Sequence, residues 1–192
     1  MEIKWYGGSA VICKLSNNLI YFDFPKEKIS EPKNKKQIII YTEPESISFA
    51  SKHQDRFVID TPGEYEISDT EIKVIPVNNR NIVELKNQNI TLVNFNLDSI
   101  PEESIIKNIN GANILLISVG KGALNARDAS EISNKIEPDV LIPIHFQNLQ
   151  DAENFLKNEN FNLNNILDIF KYNSAEINPE ERKNVLLKPQ KL

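Results

Sequence analysis

Cysteine and histidine are almost missing from this chain, and the shortage decides much of the chemistry open to it. The single Cys13 excludes an internal disulfide and any cysteine-based zinc site. His53 and His145 are the only histidines, so a histidine-rich metal centre is excluded as well. Any metal ion would need mostly oxygen ligands. Nowhere do about 18 consecutive apolar residues occur, so no membrane partner is expected. The opening MEIKWYGGSAV has an acidic residue at position 2 and no apolar run of signal-peptide length, which makes a cytoplasmic location the expectation. Blocks of basic charge are missing too. Apart from KNKK at 33–36, which reads as a solvated loop, Lys and Arg are dispersed and the net charge is −5. Nucleic acid is therefore not an expected partner.

What is present is enough for a sizeable core. The 192 residues, 40% hydrophobic and 26% charged, fit one domain spanning 1–192. The first half reads as short strands at 3–6, 10–15, 19–22, 37–41, 56–60, 64–67, 71–76, 82–85 and 90–95. Turn signals such as GGS, SNN, TPGE, VNNRN and KNQN separate them, and a β meander is expected. The rhythm then changes. IPEESIIKNI predicts a short helix with Pro101 in its first turn, NILLISVG a buried strand, and NARDASEISNKI a helix with Ala129, Ile132 and Ile136 on one face. Asn125 is placed to cap that helix, with Asp128 three residues on. A strand DVLIPIHF, a helix over 149–157, an irregular Asn-rich run and a last strand NVLL complete the chain.

One stretch raises a functional question. In QIIIYTEPESISFA, strand-forming bulk from Ile38 to Tyr41 runs into Thr42-Glu43-Pro44-Glu45. Polar side chains at the C-terminal end of a buried strand are where α/β proteins build their sites. Taken alone, the two carboxylates fit either a paired site or a solvated loop that Pro44 ends.

Three separated motifs occur in an order that resembles the metallo-β-lactamase superfamily, specifically its branch of metal-dependent hydrolases related to ascorbate-6-phosphate lactonase. IKWYGGSAVICKLSNNLIYFDF is similar to that branch's first hairpin, with its Trp-Leu-Gly-His-Ser turn and a strand ending in an Asp, here Asp23. VIDTPGEYEISDTEIKVIPV resembles the Pro-Gly-Glu-Tyr-Glu segment, and NILLISVGKGALNARDASEISNKIEPDVLIPIHF carries the glycine-rich loop, the helix and the Ile-Pro-x-His-Phe strand end. The resemblance covers residues 1–146. It implies an α/β four-layer αββα sandwich, the metallo-β-lactamase fold, with a metal site between the sheets at one edge. In such hydrolases zinc or manganese lowers the pKa of a bound water and polarises the scissile bond.

The ligand set implied by the resemblance is mostly replaced. The His-x-His-x-Asp-His signature falls on TEPESIS, putting Glu43 and Glu45 at the first two His positions and Ile47 and Ser48 at the last two. The next His position offers Asn78 and Asn79, the Gly-Asp position falls at Leu97 beside Asp98, and the turn His is Gly8. Only His145 is kept. Zinc wants about four close donors, so losing all but one dismantles a site. No catalytic residue is assigned and no cofactor is expected; the residual metal candidates are Glu43, Glu45, Asp98 and His145, which could hold one divalent zinc or manganese ion. Gly120, Lys121, Gly122 and Asn125, with Arg127 nearby, are candidates for an anion or substrate loop. Ser9 after the glycine pair has no base placed for it, and Trp5 and Tyr6 read as packing residues. The expectation is a catalytically inactive member with a binding or regulatory role, as a homo-oligomer or with a protein partner. The alternative is a divergent hydrolase of a phosphorylated or lactone-like small molecule.

Overall fold

The computed structural model describes residues 1–30, 35–43, 56–109, 111–178 and 181–191. In chain order the elements are β1 (Glu2–Trp5), β2 (Val11–Leu15), β3 (Asn18–Phe22), β4 (Lys36–Ile40), β5 (Arg56–Ile59), β6 (Gly63–Ile67), β7 (Thr70–Val77), β8 (Arg80–Asn87) and β9 (Ile90–Phe95). Then follow α1 (Glu103–Lys107), β10 (Ile114–Ser118), α2 (Ala126–Ile136), β11 (Val140–Ile144), α3 (Glu153–Asn158), β12 (Ile166–Leu167), β13 (Phe170–Lys171), β14 (Lys183–Asn184) and β15 (Leu186–Leu187).

Two mixed sheets face each other, ordered β13-β1-β2-β3-β4-β5 and β14-β11-β10-β9-β8-β7-β6. Alternation along each strand explains the stacking. On β4, Ile38 and Ile40 point into the core between the sheets, whereas Ile39 and Tyr41 join Tyr21, Phe24 and Ile29 on the outer face of the first sheet. All three isoleucines are fully buried, worth roughly 1.5–3 kcal/mol each in transfer terms. Helix α2 lies against β10, flanked by α1 and α3, and buries Ala129, Ile132 and Ile136 as the spacing predicts. Helices thus cover the outer face of the second sheet. On the first sheet the described cover is a helical turn at Lys26–Lys28. Cys13 lies in the inter-sheet core, where burial pushes its thiol up to about 12 and makes it inert. No helix among the described residues is long and apolar enough to cross a membrane.

The first half is not one meander. β1-β2-β3 and β6-β7-β8-β9 are antiparallel runs in different sheets, while β3, β4 and β5 pair in parallel. A parallel neighbour needs a connection of about a dozen residues, and the stretches 23–35 and 41–55 supply it. The Asn-rich run holds β12 and β13, the latter paired on the edge of β1. NVLL divides: β14 joins β11, and β15 joins β12.

The parallel segments put several strand C-termini at one end of the sandwich. β3, β4 and β5 of one sheet and β9, β10 and β11 of the other all finish there, and β8 begins there.

Candidate functional site

Each strand leaving the core at this end delivers a short polar group. Asp23 follows β3 with a left-handed backbone (φ 45), and its amide donates to Ile40 O at 3.0 Å, which locks it beside the end of β4. There Thr42 donates to it twice, from N to Oδ1 at 2.6 Å and from Oγ1 to Oδ2 at 2.5 Å. Asn96, just past β9 in the opposite sheet, donates from Nδ2 to Thr42 Oγ1 at 2.8 Å and to Asp23 Oδ2 at 3.4 Å. Burial pushes the Asp23 carboxyl up to about 6; the bonds from Thr42 and from the Ser9 hydroxyl oppose the rise, and Glu43's charge adds to it.

Next to this trio sits an ion pair. Asn81 N donates to Thr42 O at 2.8 Å, fixing the start of β8 against the end of β4. That contact brings the Arg80 guanidinium to Glu43, Nη2 to Oε1 at 3.3 Å, with side chains 17% and 37% exposed. Arg80 Nη1 is buried without a hydrogen-bond partner among the described residues, and so are Asn96 Oδ1 and His145 Nδ1.

His145 ends β11 with φ 77, a left-handed conformation that costs a non-glycine residue about 1–2 kcal/mol. Its amide holds that geometry by donating to Gly8 O at 2.9 Å. The same carbonyl accepts the Trp5 indole N–H at 2.8 Å, and the Trp5 ring lies 4.6 Å from that of Phe146. The backbone of Gly8 is therefore a junction between the first hairpin and the end of β11. Burial lowers the His145 imidazole below its ordinary value, the Arg80 charge lowers it further, and Glu43 opposes both. It stays neutral near pH 7.

The glycine loop borders this end. Gly120 (φ 108) and Gly122 (φ 78) adopt conformations that favour glycine, and a Cβ on Gly122 would lie 3.9 Å from His145 Cε1. Gly120 N–H donates to Leu124 O, and Asn125 is occupied as the cap of α2, accepting from Asp128 N at 3.0 Å and donating to its carboxylate at 2.8 Å. Lys121 and Arg127 are exposed.

The residual metal candidates are placed as follows. Glu43 is paired with Arg80, His145 feels the charges of both, and Asp98 is exposed with Ser99 Oγ donating to it at 3.1 Å. Leu97 is buried in the core, and Asn78 and Asn79 form the exposed turn between β7 and β8. Pro44, Glu45, Ile47, Ser48 and His53 lie outside the described residues. Among the described residues no three His, Cys, Asp or Glu side chains come together to hold a metal ion. The described donors do not fit one: Asp23's oxygens face donors from Thr42, Glu43 faces a guanidinium, and His145 feels the charge of the same cation.

Sequence reasoning missed Thr42, Arg80 and Asn96. Thr42 and Asn96 carry a signal, a polar residue immediately after the strand runs IIIY and LVNF. Arg80 carries none, because it looks like an ordinary turn flank. Two clefts lie away from this end, one of about 360 Å³ over β6, β7 and β8 beside Tyr65 and Glu84, the other of about 990 Å³ beside Arg182 and Glu159.

The beta-lactamase superfamily domain profile matches residues 2–145. A protein from Thermotoga maritima, named as a candidate zinc-dependent hydrolase of the metallo-β-lactamase superfamily, is 20% identical with a TM-score of 0.75 over 97% of this chain and 98% of its own. A metallo-β-lactamase fold protein from Bacillus subtilis is 12% identical, with a TM-score of 0.59 over 100% of this chain and 97% of that one. An isothiocyanate hydrolase from Delia radicum gut bacteria is 8% identical, with a TM-score of 0.57 over 97% and 96%. These likenesses are of fold. No curated protein matches the sequence.

Proposed function

The chain belongs to the beta-lactamase superfamily, and from that premise we propose that it is a non-hydrolysing member, a binding or regulatory module on a hydrolase-like scaffold. What carries this reading is the state of the polar groups at the strand ends. Metal-assisted hydrolysis needs carboxylate and imidazole donors with lone pairs free to bind an ion, and an ion that acidifies water. Here the Asp23 carboxylate accepts from Thr42 and Asn96, and Glu43 is held by Arg80. The scaffold features around them, the Trp5–Gly8–His145 junction and the capped glycine loop, serve the fold whether or not an ion is bound. The occupant of such a module would be a protein partner or a second copy of the chain.

A direct assay tests it. The purified full chain is incubated with phosphate monoesters, phosphodiesters and lactones, with and without added zinc or manganese. The reading expects no turnover above the metal-only blank. Metal-dependent turnover that disappears with His145→Ala or Glu43→Gln would establish the alternative, a divergent hydrolase.

A further inference from the structure

The misfit between this donor set and a metal ion has a specific residue at its centre. Arg80 is mostly shielded from solvent, yet among the described residues one arm of its guanidinium is committed, Nη2 to Glu43 at 3.3 Å, while Nη1 is buried without a partner. A buried, half-satisfied cation is costly unless its surroundings need the charge. They do, because Glu43 is a carboxylate brought by β4 to the same strand end as His145, whose imidazole senses both Arg80 and Glu43. The placement is fixed by backbone, through Asn81 N on Thr42 O, rather than by the long side chain alone.

We infer that Arg80 is the resident cation of this strand end, a covalently attached charge that holds Glu43 and keeps a free divalent ion from the donors gathered there, Glu43 and His145. The inference rests on the non-hydrolysing reading and assigns it a cause. In a guanidinium the charge is permanent and planar, and it cannot be lost to a chelator or exchanged. An ion arriving between Glu43 and His145 would have to break the pair with Arg80 and face its charge at close range. Removing that charge leaves a carboxylate and an imidazole with their neighbours intact and no counterion, which is the start of a metal site.

The experiment compares the full-length chain with Arg80→Ala and Arg80→Lys, reading thermal unfolding and zinc uptake by equilibrium dialysis. Arg80→Ala is expected to unfold at lower temperature, to recover part of the loss when zinc is added, and to bind zinc at least about tenfold more tightly than wild type. Its zinc uptake is expected to fall back when Glu43→Gln or His145→Ala is added. Arg80→Lys, which keeps the charge, is expected to fold and to exclude zinc as wild type does. A role in packing alone would move stability without creating zinc affinity. If Arg80→Ala gains no zinc affinity, or if Arg80→Lys gains as much, the inference is overturned. An Arg80→Ala chain that does not fold and is not recovered by refolding with zinc counts against it equally. Metal-dependent hydrolysis by wild type would instead remove the non-hydrolysing reading, a separate and distinguishable outcome.

Discussion

The space between the two sheets is closed by polar side chains at both ends, and the two closures are made of different chemistry. At the end where β3 begins and β8 finishes, Asn18 donates to Ile67 O, Ser68 O and Thr70 Oγ1, and Asn87 donates to Asp69 O and Thr70 Oγ1. Every group in that plug is neutral. At the opposite end a carboxylate, an ion pair and an imidazole fill the equivalent gap. Among the described residues both ends leave buried polar atoms without a partner, Asn18 Oδ1 and Ser68 Oγ at the first, Arg80 Nη1, Asn96 Oδ1 and His145 Nδ1 at the second. A neutral plug closes a sandwich adequately, so closure alone does not explain charges at the other end. Their presence is what singles out that end as the candidate site.

Breaking the junction under the charged end should have the largest effect. Trp5→Ala removes a fully buried ring and the donor to Gly8 O, and is expected to cost about 3–5 kcal/mol in denaturant unfolding. Phe146 and the His145 backbone should loosen with it, whereas the Asn18 plug should not.

A pH comparison separates the two ends next. The folded Asp23 carboxyl, at about 6, stands above its ordinary 3.8. Its contribution to stability is therefore fully present below about pH 4 and lost as pH rises through about 6, at about 1.4 kcal/mol per unit and on the order of 3 kcal/mol at most. Asp23→Asn should match or exceed wild type near pH 7, with a flatter stability profile between about pH 4 and 6. An unchanged profile would show that the site end is as indifferent to pH as the neutral one. Asn18→Ala, which strips three acceptors of a buried donor, should cost about 2 kcal/mol at any pH in this range. Asp98→Asn should change stability by less than about 0.5 kcal/mol, as expected for an exposed residue outside both closures.

Much of the scaffold could be read from residues. Alternation placed the strands, Asn125 announced the start of α2, and the order of the three motifs pointed to the fold. The parallel pairing of β3, β4 and β5 could not be read, because strand direction depends on where long connections return and not on local pattern. His145 and Asp23 could be placed at strand ends from the motifs that carry them, whereas a partner that comes from elsewhere in the chain could not be foreseen. Arg80 reaches Glu43 from 37 residues away in sequence, and nothing local distinguishes it from other turn-flanking arginines. Glu43 accordingly read as a vacated ligand position, and the structure adds the cation that now holds it.

The central claim is that the donors at this end are committed to the protein itself. Native mass spectrometry with elemental analysis of the wild-type chain, purified without chelator, tests it most directly. The account predicts a metal-free mass and no uptake when zinc or manganese is added. One equivalent of zinc, manganese or iron that survives desalting and is lost in His145→Ala would contradict it.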